Sequence, residues 1–277
     1  MSKTWTNVLR IFSFAIAFVF WGLQLACLVV QARYQAEYID DRLFYLFNII
    51  VTVALTVALL LTFKKRLNIL IGSIAAFFII FQFIQLQGVK DVTSISPDFN
   101  HVFSIKQNGA SDATYYRSYY RLLGKPKEDL AYQIKGKGNI KWITNDIAVF
   151  TSQSETNGVQ QFVGTYGARG DSVAYTYVST QIRGTWKNDD TTVTASMDGV
   201  LITHGDQTTS FEWEQAKQFG TLALVLTENN EAKWTIGLAE DFYYDQNTPD
   251  PPVGSIVLYQ ATMNKVEPVT LEYTGEA

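Results

Sequence analysis

Cysteine occurs once in this 277-residue chain, as Cys27, and histidine twice, as His101 and His204. A single cysteine excludes a disulfide framework and a cysteine-ligated zinc site. The two histidines lie in no His-x-x-x-His pair and near no Gly-x-Ser-x-Gly elbow, so little is left for metal-assisted or acyl-transfer catalysis. Phosphate-cradling loops are also missing: the glycines of Gly164-Thr-Tyr-Gly167-Ala-Arg-Gly170 carry no following lysine and serine, and no cofactor is expected. Proline is absent from residues 1–89, which hold only 10 of the 48 charged residues; residues 90–277 carry the other 38 and all six prolines. That division excludes one uniform soluble domain and places the expected boundary at 89/90.

What residues 1–89 do contain is three uncharged stretches, with spans expected at about 11–31, 43–63 and 67–87. A helix rises 1.5 Å per residue and the hydrocarbon layer is roughly 30 Å thick, so about 20 apolar residues suffice to cross it. Lys3 and Arg10 precede the first stretch, and Lys64-Lys65-Arg66 separates the second from the third. Basic residues are retained in the cytoplasm, so both segments are expected inside, and the loop with Glu37, Asp40 and Asp41 outside. An odd number of spans then carries the C-terminal part outside. The expectation is a multi-pass cell-membrane protein with a cytoplasmic N-terminus. The lack of cysteine beyond the first span suits a monoderm bacterium. Cys27 is read as a helix-buried thiol.

No ionisable side chain lies within a span, which disfavours a pump or an ion pathway. Gln24, Asn48, Gln82 and Gln85 are the strongest polar groups there, expected as interhelical glue, and Ala54, Ala58, Gly72 and Ala76 as small residues that let helices two and three approach.

From residue 90 onward, short β-branched or alternating runs are separated by Gly136-Lys137-Gly138, Asn157-Gly158, Asp198-Gly199, His204-Gly205 and Asn229-Asn230, residues that accept hairpin turns. An all-β domain follows, sandwich-like as first choice, with a barrel or a small propeller-like domain as the alternative. Strands are expected, among others, at 102–106, 147–151, 160–166, 173–179, 192–197, 208–213, 233–238 and 255–262. The similarity of Trp142-Ile-Thr-Asn145-Asp146 to Trp186-Lys-Asn188-Asp189, 44 positions apart, raises the possibility of a repeat.

Four groups of candidate site residues stand out. Tyr115, Arg117, Tyr119 and Arg121 would share one face of a strand, an alternation suited to stacking and to binding sugar or phosphate. Asp241, Asp245, Asn247 and Asp250 place four oxygen side chains within ten residues, as a calcium loop does, without the central glycine and twelfth-position acid of the helical motif. Glu212 with Glu214 and Glu240 with Asp241 are the carboxylate pairs available to an enzyme. Arg169-Gly170-Asp171 spells an adhesion tripeptide in a turn. The acidic distal part, six basic against seventeen acidic residues over 148–277, argues against nucleic acid. The expected function is a membrane-anchored, non-catalytic extracytoplasmic binding or interaction protein, with an accessory subunit of a cell-envelope complex as one form. Its partners are the bilayer and either another membrane protein or an envelope ligand. The alternative is an envelope carbohydrate-acting enzyme using the acidic residues.

Overall fold

The computed structural model describes residues 3–109, 112–156, 158–169, 175–245, 248 and 250–275. The chain divides into two compact units: Met1–Thr93 with Ser104–Gln107 and Thr114–Glu128, and Ser94–Phe103 with Asn108–Ala113 and Asp129–Ala277.

The first unit begins with three helices, α1 (Lys3–Tyr34), α2 (Arg42–Leu60) and α3 (Lys65–Gly88), each long and apolar enough to cross a membrane. Little of their apolar surface is covered within the protein, 17%, 11% and 6% of the span windows respectively. α2 packs against both of the others. The buried apolar positions of the three helices are all alanine: Ala17 on α1, Ala54 and the fully buried Ala58 on α2, and Ala75 on α3; between α1 and α2 the Phe20 and Phe47 rings also meet edge-on at 5.5 Å. The buried α3 position is one residue away from the expected Ala76, which is exposed. The threonines of α2 satisfy themselves locally: Thr52 donates to the Asn48 carbonyl (2.8 Å) and Thr56 to that of Thr52 (2.6 Å).

A five-stranded sheet belongs largely to this unit. Its order is β1-β5-β4-β3-β2, with β1 Glu37–Tyr38, β2 Val92–Ile95, β3 Val102–Asn108, β4 Asp112–Tyr119 and β5 Leu123–Asp129. β1 is two residues long and lies in the α1–α2 loop, where it pairs antiparallel with β5 (Glu37 with Gly124, Tyr38 with Leu123). A two-residue strand between helices leaves no periodicity in the sequence, and it is absent from the expectation.

The second unit holds two sheets. Strands β6 (Ile134–Thr144), β7 (Ile147–Ser154) and β8 (Val159–Thr165) form an antiparallel meander. β7 is buried on both faces over Ile147–Ser152, so it reads as a continuous apolar run instead of an alternation. The larger sheet has nine strands: β9 (Gly184–Lys187), β10 (Thr191–Ala195), β11 (Gly199–His204), β12 (Gln207–Glu212), β13 (Ala216–Phe219), β14 (Ala223–Glu228), β15 (Glu231–Leu238), β16 (Ser255–Gln260) and β17 (Val269–Gly275). Their order, β12-β11-β10-β9-β17-β16-β15-β14-β13, is a meander bent round until its last strand pairs with its first. Among the described residues, only the β12–β13 seam lacks a ladder, and a 3-10 turn at Trp213–Gln215 bridges it.

This near-closed barrel replaces the sandwich of the first expectation and agrees with its alternative. The reason is the β9–β17 pairing, which joins Trp186 to Tyr273 and wraps one sheet on itself. Its interior is filled by Trp186, Val193, Val200, Ile202, Phe211, Leu224, Leu226, Ile236, Ile256, Leu258 and Leu271. Asp198-Gly199 turns the β10–β11 hairpin, and at Gly199 (φ +154°) a Cβ would lie 2.1 Å from the Phe211 carbonyl oxygen, so only glycine fits. Residues 175–177 are not a strand, and α4 (Val178–Gln181) follows; residues 170–174 lie outside the described set. Trp142 and Trp186 sit in different sheets before hairpin turns, so their likeness is turn chemistry, Asn-Asp at each tip, and no repeat.

Candidate functional site

The barrel's inward-facing ladders change character along their length. On β11 they run Val200, Ile202, His204; on β12, Phe211, Thr209, Gln207; on β14, Leu224, Leu226, Glu228; on β16, Ile256, Leu258, Gln260. The registers bring the polar members together: His204 faces Gln207, Ile202 faces Thr209, and Trp234 faces Gln260 and Leu226. One end of the barrel is therefore dry, and α4 and the residue that caps it place the fully buried Val178 and Ile182 in the core there. At the other end a cavity of about 380 Å³ opens, lined by Ile202, His204, Gln207, Thr209, Phe211, Glu228, Lys233, Trp234, Gln260 and Thr262. Its volume lies within the range that holds small-molecule ligands.

The electrostatics of this mouth are close to neutral. Lys233 Nζ lies 2.7 Å from Glu231 and 4.0 Å from Glu228, so its charge is answered within its own hairpin. His204 is fixed twice, by a 2.8 Å hydrogen bond between its Nδ1 and Thr191 Oγ1 and by edge-on packing against the Trp234 indole (5.7 Å). Among the described residues, the side chains of Gln207, Thr209 and Gln260 make no hydrogen bond, and each is available to a ligand. In the sequence His204 reads only as part of the His204-Gly205 turn. The signal that would have found the site is the switch from apolar to polar at the same end of successive inward ladders.

A second charged constellation lies in the first unit. Lys106 on β3 is buried, its side chain 3% exposed, and its Nζ reaches Asp41 Oδ1 (2.5 Å), Glu37 Oε2 (3.5 Å) and the face of Tyr116 (4.6 Å). Asp91 accepts the Asp41 backbone N–H (2.8 Å), and Arg42 donates to the Asp91 carbonyl. Burial pushes the Asp91 carboxyl up to about 6, opposed by that N–H, and burial with the charge of Glu37 pushes the Tyr116 hydroxyl up to about 12. The arrangement clamps the α1–α2 loop to β3. Lys106 is committed to the two carboxylates, and Arg42 to the Asp91 carbonyl and to Asp40 (3.7 Å).

The sequence-derived candidates are placed as follows. β4 ends at Tyr119; Tyr120 and Arg121 adopt positive φ (58° and 60°), so Arg121 turns away from the strand that carries the other three. Tyr115 is buried, Arg117 and Tyr119 are exposed, and Lys125 Nζ lies over the Tyr119 ring at 4.9 Å. Asp241 accepts from the backbone N–H (3.3 Å) and hydroxyl (2.7 Å) of Ser255; Asp250 is exposed, and Asn247 lies outside the described residues. No group of three His, Cys, Asp or Glu able to hold a metal occurs among the described residues.

The carboxylate pairs are occupied by turns. Glu212 caps the 3-10 turn in a reciprocal box with Gln215, and the strand ends there, so Glu214 does not share its face. Glu240 accepts the Asn145 N–H (2.9 Å). Arg169 forks onto both oxygens of Asp146 (2.5 and 2.9 Å) and onto the carbonyls of Leu238 and Ala239, which makes it a buried brace; Gly170 and Asp171 lie outside the described residues. His101 stacks on Tyr166 (4.5 Å), which in turn stacks on Trp142.

No family model, curated protein or solved structure matches the chain.

Proposed function

We propose that this is a membrane-anchored, non-catalytic binding protein that presents its barrel outside the cell and recognises a small ligand at the barrel mouth. The observation that carries the reading is the mouth itself: a cavity of ligand size where unpaired amide and hydroxyl groups from β12 and β16 converge on an indole. The three apolar helices supply the anchor. Charge supports a cytoplasmic N-terminus, since Lys3, Arg10 and Lys64-Lys65-Arg66 fall on one side and the Glu37–Asp41 loop on the other. Three spans exceed what an anchor needs, and Gln85, exposed on α3, would seek a hydrogen-bonding partner in a neighbouring helix, which favours a role as an accessory subunit of an envelope complex. The cysteine-poor outer part favours a monoderm bacterium.

Orientation is tested by cysteine labelling in a Cys27→Ala background. A membrane-impermeant maleimide should label Met197→Cys, at a barrel position 73% exposed, in intact cells, and Lys65→Cys only after permeabilisation. The reverse pattern overturns the topology. Purification of the full chain in mild detergent, with mass spectrometry of what accompanies it, tests the binding role: a bound small molecule lost on Trp234→Ala is expected.

A further inference from the structure

The barrel mouth does more than mark a place for a ligand; its chemistry selects among ligand classes. We propose that it binds a neutral, hydroxyl-rich ring, a pyranose unit of a glycan. This rests on the binding-protein reading above and names the class of ligand.

Three features of the lining carry the choice. First, its charge is balanced internally, because Glu228 and Glu231 already answer Lys233. A phosphate or carboxylate would need a free basic group, usually arginine, and none lines the cavity; a cation would need a free acid, and Glu228 stands beside Lys233. Second, the free polar groups are amides and hydroxyls. Gln207 and Gln260 each offer two N–H donors and a carbonyl, and Thr209 both donates and accepts. A sugar hydroxyl also donates and accepts, so this set matches it in both roles, where a fatty acyl chain would leave every one of these groups unpaired. Third, the half-buried Trp234 indole lies in the ladder directly opposite Gln260 and beside His204, whose Nδ1 is held by Thr191. A pyranose has an apolar C–H face and a polar rim, and an aromatic wall bordered by amides is complementary to both.

The test is calorimetric titration of the full-length protein in detergent with glucose, galactose, mannose and N-acetylglucosamine. Inorganic phosphate, spermidine and decanoate serve as probes of the competing classes. Saturable binding of at least one sugar is expected, weakened tenfold or more by Trp234→Ala and by Gln260→Ala, and partly restored when Trp234 is replaced by Phe. Gln260 is exposed, so its truncation keeps the test meaningful if Trp234→Ala fails to fold. Sugar binding undiminished by both truncations overturns the assignment of the site. Saturation by phosphate, spermidine or decanoate instead, abolished by the same variants, overturns the sugar class and leaves the binding-protein reading standing. If no probe saturates, both fall.

Discussion

Lys106 answers two carboxylates from a position 3% exposed, and what surrounds it decides how much it matters. Removing one partner of a fully buried pair costs about 3–5 kcal/mol, but Glu37 and Asp41 are 39% and 49% exposed and water can take over part of their solvation. Lys106→Met should therefore lower stability by about 1–3 kcal/mol, read as a lower melting temperature in detergent; an unchanged melting temperature would show the clamp to be idle. Asp91 adds a pH dependence. Its carboxyl, raised by burial to about 6, binds its proton more tightly folded than unfolded, so its contribution is fully present below about pH 4 and is lost as pH rises through 6. Asp91→Asn should raise the melting temperature more at pH 7 than at pH 4, and an equal effect at both would contradict this. Asp146 runs the other way: burial favours its protonation, but the hydrogen bonds from Arg169 and Thr144 outweigh it and hold the carboxyl low, so its stabilisation is lost on acidification. Lys106 was legible as the end of an expected strand. Its partners were not, because they lie 65 and 69 residues earlier and only the folded sheet brings them near.

Among the elements, those with a local signature were readable from the residues. The helices announce themselves by charge-free length, and the β10–β11 and β11–β12 hairpins by Asp198-Gly199 and His204-Gly205. α4 did not: Val173–Ser179 has the β-branched and aromatic character of a strand, and tertiary burial of Val178 and Ile182 overrides that propensity. Ile182 also accepts a 2.7 Å hydrogen bond from the Trp186 indole through its carbonyl, so this residue joins α4 to the barrel floor. Ile182→Ala should destabilise by about 2–5 kcal/mol, the range for emptying a packed core position. A denaturant midpoint within error of wild type would mean that α4 is dispensable. The ladders of the mouth were each visible as alternation, but which ladders share an end follows from hairpin registers that the sequence does not print.

The whole molecule depends on pairings between distant segments. β17, at the end of the described chain, pairs with both β16 and β9, and Trp186 packs edge-on against Tyr273 at 5.1 Å. A chain ended at Pro268 would leave β9 and β16 as two open edges with unpaired backbone groups. Such a truncation should lose cooperative unfolding and aggregate, seen by size-exclusion chromatography; a monodisperse, cooperatively melting product would show that the seam can be sealed another way. This closure is the part of the fold least legible beforehand, since alternation and turn residues are common to sandwiches and barrels.

The clamp around Lys106 also fixes an order in time. Asp41 precedes Lys106 by 65 residues, and a ribosome adding about 5–20 residues per second delivers the lysine about 3–13 s after the acid it will hold. Through that interval the α1–α2 connection carries Glu37, Asp40 and Asp41 against Arg33 and Arg42, and β1 has no strand to pair with until Leu123 and Gly124 are made. The helical hairpin is thus laid down with its tip unsecured, and the β-structure that follows it in synthesis arrives as its latch.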